Sequence, residues 1–172
     1  EILGVGRLPA GRRMHAVTNS GGEANLICDI ADDAGLVLPA MSEAAARRLS
    51  DHWPSFHIAN PLDPWGVDAY DKVYPVAIQA VADEPGDILV VSQDQQVTSG
   101  AYERTLGLDL VNYLAAAVES SDKLPVLLSP TSQDPDPAVT QRCREAGIAL
   151  LRGVSPALHA LSRLAARPMP TP

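Results

Sequence analysis

Met14-His15-Ala16-Val17-Thr18-Asn19-Ser20-Gly21-Gly22-Glu23-Ala24-Asn25-Leu26-Ile27-Cys28-Asp29-Ile30 places an apolar run, a glycine turn and a helix-like run in direct succession. The order reads as strand, tight turn, helix N-terminus. Two glycines let the backbone turn sharply and leave the first helical amides uncovered, so those N–H groups and the positive end of the helix dipole can face an anion. The stretch is neither a Walker A loop, which needs Gly-x-x-x-x-Gly-Lys-Ser/Thr, nor Gly-x-Gly-x-x-Gly. By itself it reads first as a plain strand-to-helix connection.

Outward from this turn, short apolar runs bounded by turn residues alternate with segments of helical periodicity, the pattern of βαβ units. Five strands are expected, over Arg12–Thr18, Leu36–Leu38, Asp87–Ser92, Leu124–Leu128 and Ile148–Leu151, with Gly35, Gly86 and Gly147 placed where a helix should stop. Helices are expected over Glu23–Ala34, Glu43–Ser50, Ala69–Ala82, Ala101–Glu119, Pro137–Ala146 and Ser155–Ala166, with Ser42 and Ser155 as N-caps. Right-handed crossovers wind these into an α/β, flavodoxin-like, three-layer doubly wound parallel sheet of order 2-1-3-4-5. Ligands of such sheets sit at the carboxyl ends of the strands at the switch point, which brings the Thr18–Gly22 turn beside the Ser92-Gln93-Asp94-Gln95 loop.

The chain has 172 residues, a length that suits one domain, and combines 46% hydrophobic residues with only 4% aromatics. Its core is therefore built from Ala, Val, Leu and Ile, as helices on a parallel sheet supply. A formal net charge of −8 argues against nucleic acid or an anionic membrane surface as partner. Cys28 and Cys143 lie far apart with no metal-ligand spacing, which suits buried thiols in a reducing compartment. No signal peptide or membrane span is evident, so a cytoplasmic location is the expectation. The start without Met, residues 1–11 and the Pro-rich end at 167–172 read as linkers around a domain at 12–166, cut from a longer polypeptide.

Between Asp51 and Val67 lies a long proline-rich excursion holding both tryptophans, Trp53 and Trp65, the one phenylalanine, Phe56, and the histidines His52 and His57. It is either a docking surface or a loop whose aromatics fill a satellite core.

Three features occur in order: Val17-Thr18-Asn19-Ser20-Gly21-Gly22, then Ala59-Asn60-Pro61-Leu62-Asp63 with Gly66, then Ala146-Gly147-Ile148. With them the chain resembles the CoA-ligase domain of NDP-forming acyl-CoA synthetases over nearly all of Gly11 to Leu164. It is similar also to the carboxyl-terminal domain of the succinyl-CoA synthetase β subunit and to feruloyl-CoA synthetase-like members. The resemblance implies a ligase that joins an acid to CoA at the expense of NTP, through an acyl phosphate and a phosphohistidine carried on another domain. It also implies that the glycine turn opens a helix whose N-terminus docks that phosphohistidine, a role that falls on Asn19, Ser20, Gly21 and Gly22. Asn60, Asp63, Ser92 and Gln93 stand as interdomain or ligand-facing loop candidates.

No catalytic residue and no metal ligand is expected in this segment. CoA, ATP or GTP, Mg and a small carboxylic acid belong to the full enzyme, other domains or subunits of the synthetase are the partners, and a homodimer is open. Many relatives follow the glycine turn with Pro-Gly or another small pair, whereas this chain has Glu23-Ala24. Glu23 either complements the helix dipole or, pointing inward, repels a phosphate. The polar loop Ser99-Gly100-Ala101-Tyr102-Glu103-Arg104 is a second departure. From another class, a non-catalytic α/β binding or regulatory module, for instance attached to a protein acetyltransferase, remains the alternative.

The remaining polar residues read as structural. His15 is expected to be a satisfied strand histidine, His159 a surface or interdomain residue, and Asp63 a turn cap. His52 and His57 lack a third metal ligand. Asp32, Asp33, Asp134 and Asp136 read as solvated helix ends, and Asn19-Ser20-Gly21 lacks the Gly-x-Ser-x-Gly elbow of a serine hydrolase.

Overall fold

The computed structural model describes residues 2–166; the expected linker at 167–172 lies outside the described residues. Four parallel strands form one sheet in the order β1 (Met14–Val17), β2 (Ile88–Ser92), β3 (Leu124–Ser129), β4 (Ala149–Arg152). Among the described residues six α-helices accompany them: α1 (Gly21–Ala34), α2 (Glu43–His52), α3 (Tyr70–Ala82), α4 (Ala101–Ala117), α5 (Pro137–Ala146) and α6 (Val154–Ala165). Every strand residue except Arg152 is buried, as a sheet covered on both faces requires.

Strand alternation divides the interior in two. Met14, Ala16, Ile88, Val90, Val126, Ala149 and Leu151 pack toward α1 and α6, and Ile2 joins that side. Val17, Leu89, Val91, Leu127 and Leu150 pack toward α3, α4 and α5. The residues expected as a leading linker pack on the domain: Ile2–Gly4 form a 3₁₀ turn, and the Arg7 guanidinium donates to Ser121 O at 2.9 Å. Among the described residues no helix is long and apolar enough to cross a membrane.

The fifth strand expected over Leu36–Leu38 is absent, and the five-strand order with it. Val37 makes one isolated parallel bridge to Arg13. Beyond that bridge the free edge of β1 is closed piecemeal. Met14 N–H donates to Val37 O at 2.8 Å, and Ala16 N–H donates to Asn60 Oδ1 at 3.0 Å. Asn60 Nδ2 returns a bond to Met14 O at 3.0 Å and another to Pro39 O at 2.9 Å. Leu62 N–H then donates to Ala16 O, and Thr18 N–H to Leu62 O, both at 2.8 Å. The side-chain amide of Asn60 thus does the work of a missing peptide group, and no strand is needed to satisfy the edge.

Two local expectations are corrected. Helix α6 is capped by Gly153 at φ +69°, not by Ser155, which lies inside the first turn. Gly35 and Gly147 close α1 and α5 in the left-handed conformation at φ +72° and +65°. Gly86 closes no helix: α3 ends at Ala82, capped by Asp83. A Cβ on Gly86 would lie 3.0 Å from His15 Nδ1, so close packing is what keeps this glycine small.

Candidate functional site

The carboxyl ends of β1 and β2 lie side by side, and the loops leaving them meet. Asn19 Nδ2 donates to Gln93 Oε1 at 2.7 Å. Thr18, fully buried, shapes the turn: its hydroxyl donates to Ser20 O at 3.1 Å and accepts Ser20 N–H at 3.3 Å, while its carbonyl accepts the Tyr74 hydroxyl at 3.2 Å. This fixes the chain in extended geometry at Ser20 (φ −157°, ψ 126°) immediately before α1 begins.

Ser20-Gly21-Gly22-Glu23 has the Ser-x-x-Glu spacing of a capping box, in which the serine side chain bonds the third helical amide and the glutamate reaches back. The box is not made. Ser20 gives no side-chain cap, its own N–H is taken by Thr18, and Glu23 turns away. Among the described residues no hydrogen bond is made to the amides of Gly21, Gly22 or Glu23, and Gly21, Gly22 and Ser20 are exposed. Uncovered amides are what the glycine turn led one to expect; the Ser-x-x-Glu spacing by itself does not tell whether the box is made.

Glu23 points inward, where its Oε1 accepts the Ser92 hydroxyl, and Ser92 Oγ also lies 3.2 Å from Leu128 O. Burial pushes the Glu23 carboxyl above the usual range; the Ser92 bond opposes this, and the nearby Asp94 and Asp63 add to the rise. Asp63 Oδ1 accepts Trp65 N–H at 3.1 Å, closing the turn, and its Oδ2 lies 3.8 Å from where a Cβ on Gly21 would stand. Glu23, Asp63 and Asp94 therefore crowd the helix N-terminus with carboxylates. The loop that carries Asp94 was expected beside the turn, but not the effect of its charge on Glu23.

Asn60 is committed to the β1 edge by three hydrogen bonds, and Ser92 and Gln93 to the contacts just given. A cleft of about 400 Å³ runs between the start of α1 and the 57–63 segment, lined by Gly21, Asn25, Cys28, His57, Asn60 and Asp63. Burial and Asp29 hold the Cys28 thiol above its ordinary value, which disfavours the thiolate. A larger groove of about 870 Å³ lies away from the turn, against α6 and the N-terminal residues. In the aromatic excursion Phe56 is buried in the core with Trp53 edge-on against it, while Trp65 stays half exposed.

Two readings change with the structure. His15 is buried but not satisfied, since neither ring nitrogen has a hydrogen-bond partner. Asp136 is not solvated: it caps α5, accepting Ala138 N–H at 2.8 Å, and pairs with Arg104 at 2.7 Å. That pair ties the first turn of α4, where the structure places Ala101–Arg104 of the expected polar loop, to the start of α5. Asp134 and Asp33 are exposed, paired with Arg152 at 2.7 Å and His159 at 3.3 Å. Among the described residues no group of three or more His, Cys, Asp or Glu side chains is arranged to hold a metal ion.

No protein-family model matches the chain, and no curated protein matches it in sequence. Solved structures do. PH0766 from Pyrococcus horikoshii OT3 superposes with a TM-score of 0.70 at 20% identity, over 92% of this chain and 36% of that one. The dinucleotide-forming acetyl-coenzyme A synthetase 1 of Ca. Korarchaeum cryptofilum, in its apo form, gives 0.65 at 22% identity over 91% of this chain and 33% of its own. The same enzyme in complex with phosphate and ADP gives 0.64 over the same shares. The chain spans about a third of the length of these structures, and it shares its fold with a domain-sized part of an acetyl-coenzyme A synthetase.

Proposed function

We propose that this chain is a domain of a multidomain, cytoplasmic NDP-forming acyl-CoA synthetase. In that reaction an acid, CoA and NTP give acyl-CoA, NDP and phosphate through an acyl phosphate and a phosphohistidine. The N-terminus of α1 receives the phosphohistidine loop of another domain. One observation carries the reading: a helix whose own Ser20–Glu23 capping box is available yet unmade, leaving the Gly21, Gly22 and Glu23 amides open. Local rules left unfulfilled at one spot mark a place kept for something else. A phosphoryl group carrying roughly two negative charges gains from such amides and the helix dipole without any lysine. Asn19 and Gln93 lock each other at the rim and hold the turn in place. Gly21 and Gly22 allow close approach, since a side chain on either would stand over the amides. In this reading Mg, nucleotide and CoA fall to the rest of the polypeptide.

Glu23, Asp63 and Asp94 favour a second reading, in which the same scaffold serves as a non-catalytic binding or regulatory module that holds no phosphoryl group. The flanking reading frame separates the two: a nucleotide-grasp domain and a second flavodoxin-like domain with a histidine loop belong to the ligase only. A direct test is titration of the chain with inorganic phosphate, followed by amide NMR. Saturable shifts at Gly21, Gly22 and Glu23, lost in Gly21→Val and Gly22→Val, are expected. Absence of shifts at those amides in a folded protein, together with unaltered phosphoryl transfer by a full-length Gly21→Val enzyme, rejects the docking role.

A further inference from the structure

We propose that His15, acting through Glu84 and Ser42, is the sensor of an acid-triggered release of helix α2. Strand alternation in β1 turns His15 toward α3, at the end of the sheet opposite the glycine turn. The residue is 1% exposed, and both ring nitrogens are buried without a partner. A neutral imidazole there forgoes one donor and one acceptor; an imidazolium has two donors and a charge to satisfy. Nothing in the resting arrangement receives them.

The surroundings decide where that charge turns. From the segment after α3 comes Glu84, itself buried, and from the residue before β3 comes Lys123, whose ammonium donates to Ala82 O. Arg13 stands just before β1, and its amide donates at 2.9 Å to Asp87, just before β2. Asp83 is paired with Arg48 of α2 at 2.8 Å. Glu84 is thus the anion facing the ring, opposed by the cations Lys123 and Arg13.

The Glu84 carboxylate is already in use. Its Oε2 accepts Ser42 N–H at 2.9 Å and its Oε1 the Ser42 hydroxyl at 2.6 Å. Ser42 in turn is the N-cap of α2, receiving Ala45 N–H at 3.2 Å. A proton on His15 draws Glu84 away from Ser42 and loosens that cap. Helix α2 is suited to respond, for it buries only Ala45 and Leu49.

The direction in pH follows from the same contacts. Burial lowers the His15 pKa below its ordinary 6.5, with Glu84 opposing and Lys123 and Arg13 assisting. The closed form therefore binds the proton less readily than an open one. Closure is complete above about 6.5, and each pH unit below favours the open form by up to about tenfold until the ring titrates in place.

Hydrogen exchange of the chain between pH 5 and 7.5, corrected for intrinsic rates, tests this. Opening of the Ala45–Leu49 amides is expected to rise up to about tenfold per pH unit below 6.5 while α4 stays flat, and His15→Asn is expected to abolish the slope. NMR titration of the His15 ring in the wild-type protein stands independently of whether that variant folds, and a ring pKa below 6.5 is expected. A ring pKa at or above 6.5, an α2 slope unchanged in His15→Asn, or equal slopes in α2 and α4 overturns the proposal.

Discussion

Replacing Asn60 by Ala removes three hydrogen bonds at once, those to Ala16 N–H, Met14 O and Pro39 O, and reopens the middle of the β1 edge. Each bond is worth about 1 kcal/mol net, and the Ala16 amide, on a fully buried residue, loses its only acceptor at a further cost of about 1 kcal/mol. Asn60→Ala is thus expected to destabilise the chain by about 3–4 kcal/mol, a large share of a typical domain's stability. With a urea dependence of about 2 kcal/mol per M, the unfolding midpoint falls by about 1.5–2 M. Asn60→Asp adds a second arm. It keeps an acceptor for Ala16 N–H but sets a carboxylate oxygen against the carbonyls of Met14 and Pro39, so its deficit matches or exceeds that of Ala at pH 7 and shrinks in acid, where the carboxyl regains a proton. Urea denaturation followed by far-UV circular dichroism gives both numbers. A loss under about 1 kcal/mol for Asn60→Ala, with Asn60→Asp equally stable at pH 4 and pH 7, refutes the view of Asn60 as part of the sheet. It would return the residue to the class of ligand-facing loops.

Glu23→Gln is expected to stabilise the protein at pH 8. A carboxyl whose folded pKa is raised by burial costs stability above that pKa and none below its ordinary 4.5, so the advantage of Gln in thermal unfolding should vanish by pH 4. Gly107→Ala gains about 1 kcal/mol of helix propensity but sets a Cβ on Gln95 Oε1 and 2.7 Å from its Cδ. The result is net destabilisation in the wild-type background and net stabilisation in Gln95→Ala, read as a double-mutant cycle. Asp136→Ala loses the α5 cap and frees the half-exposed Arg104 to water, a cost of about 1–2 kcal/mol at pH 7. Burial raises the Asp136 pKa, but Arg104 and the Ala138 and Val139 amides more than offset this and hold it below its ordinary 3.8. The stability it adds is present above 3.8 and lost as pH falls through the folded value, so wild type and variant should converge in strong acid.

The parts of the fold that could be read in advance are those where one physical term dominates. Buried runs such as residues 88–91 and 124–128 are apolar throughout because both faces of the sheet are covered, and that pattern survives in sequence. Gly35 and Gly147 were legible because a left-handed helix end selects glycine, while Gly86 has the same residue for a different reason, the ring of His15. The missing strand was not legible. Val37, Asn60 and Leu62 close the β1 edge from separate places, and one of the three does so with a side chain, which no hydrophobic periodicity reports. At the glycine turn the opposite held: the strand, turn and helix were evident, but the direction of Glu23 depends on Ser92, 69 residues away and adjacent only after folding.

The groove along α6 is lined at one end of the chain by Ile2 and Leu3 and at the other by Arg163 and Leu164. The first and last described turns of the polypeptide are therefore neighbours in space. Such proximity makes the domain a candidate for circular permutation, with a short Gly-Ser bridge over the groove and new ends cut between residues 98 and 100, outside the four strands and past the isolated Gln96–Pro135 bridge. Folding of that rearranged chain would demonstrate that the sheet order is encoded by contacts and not by the sequence in which the segments are synthesised.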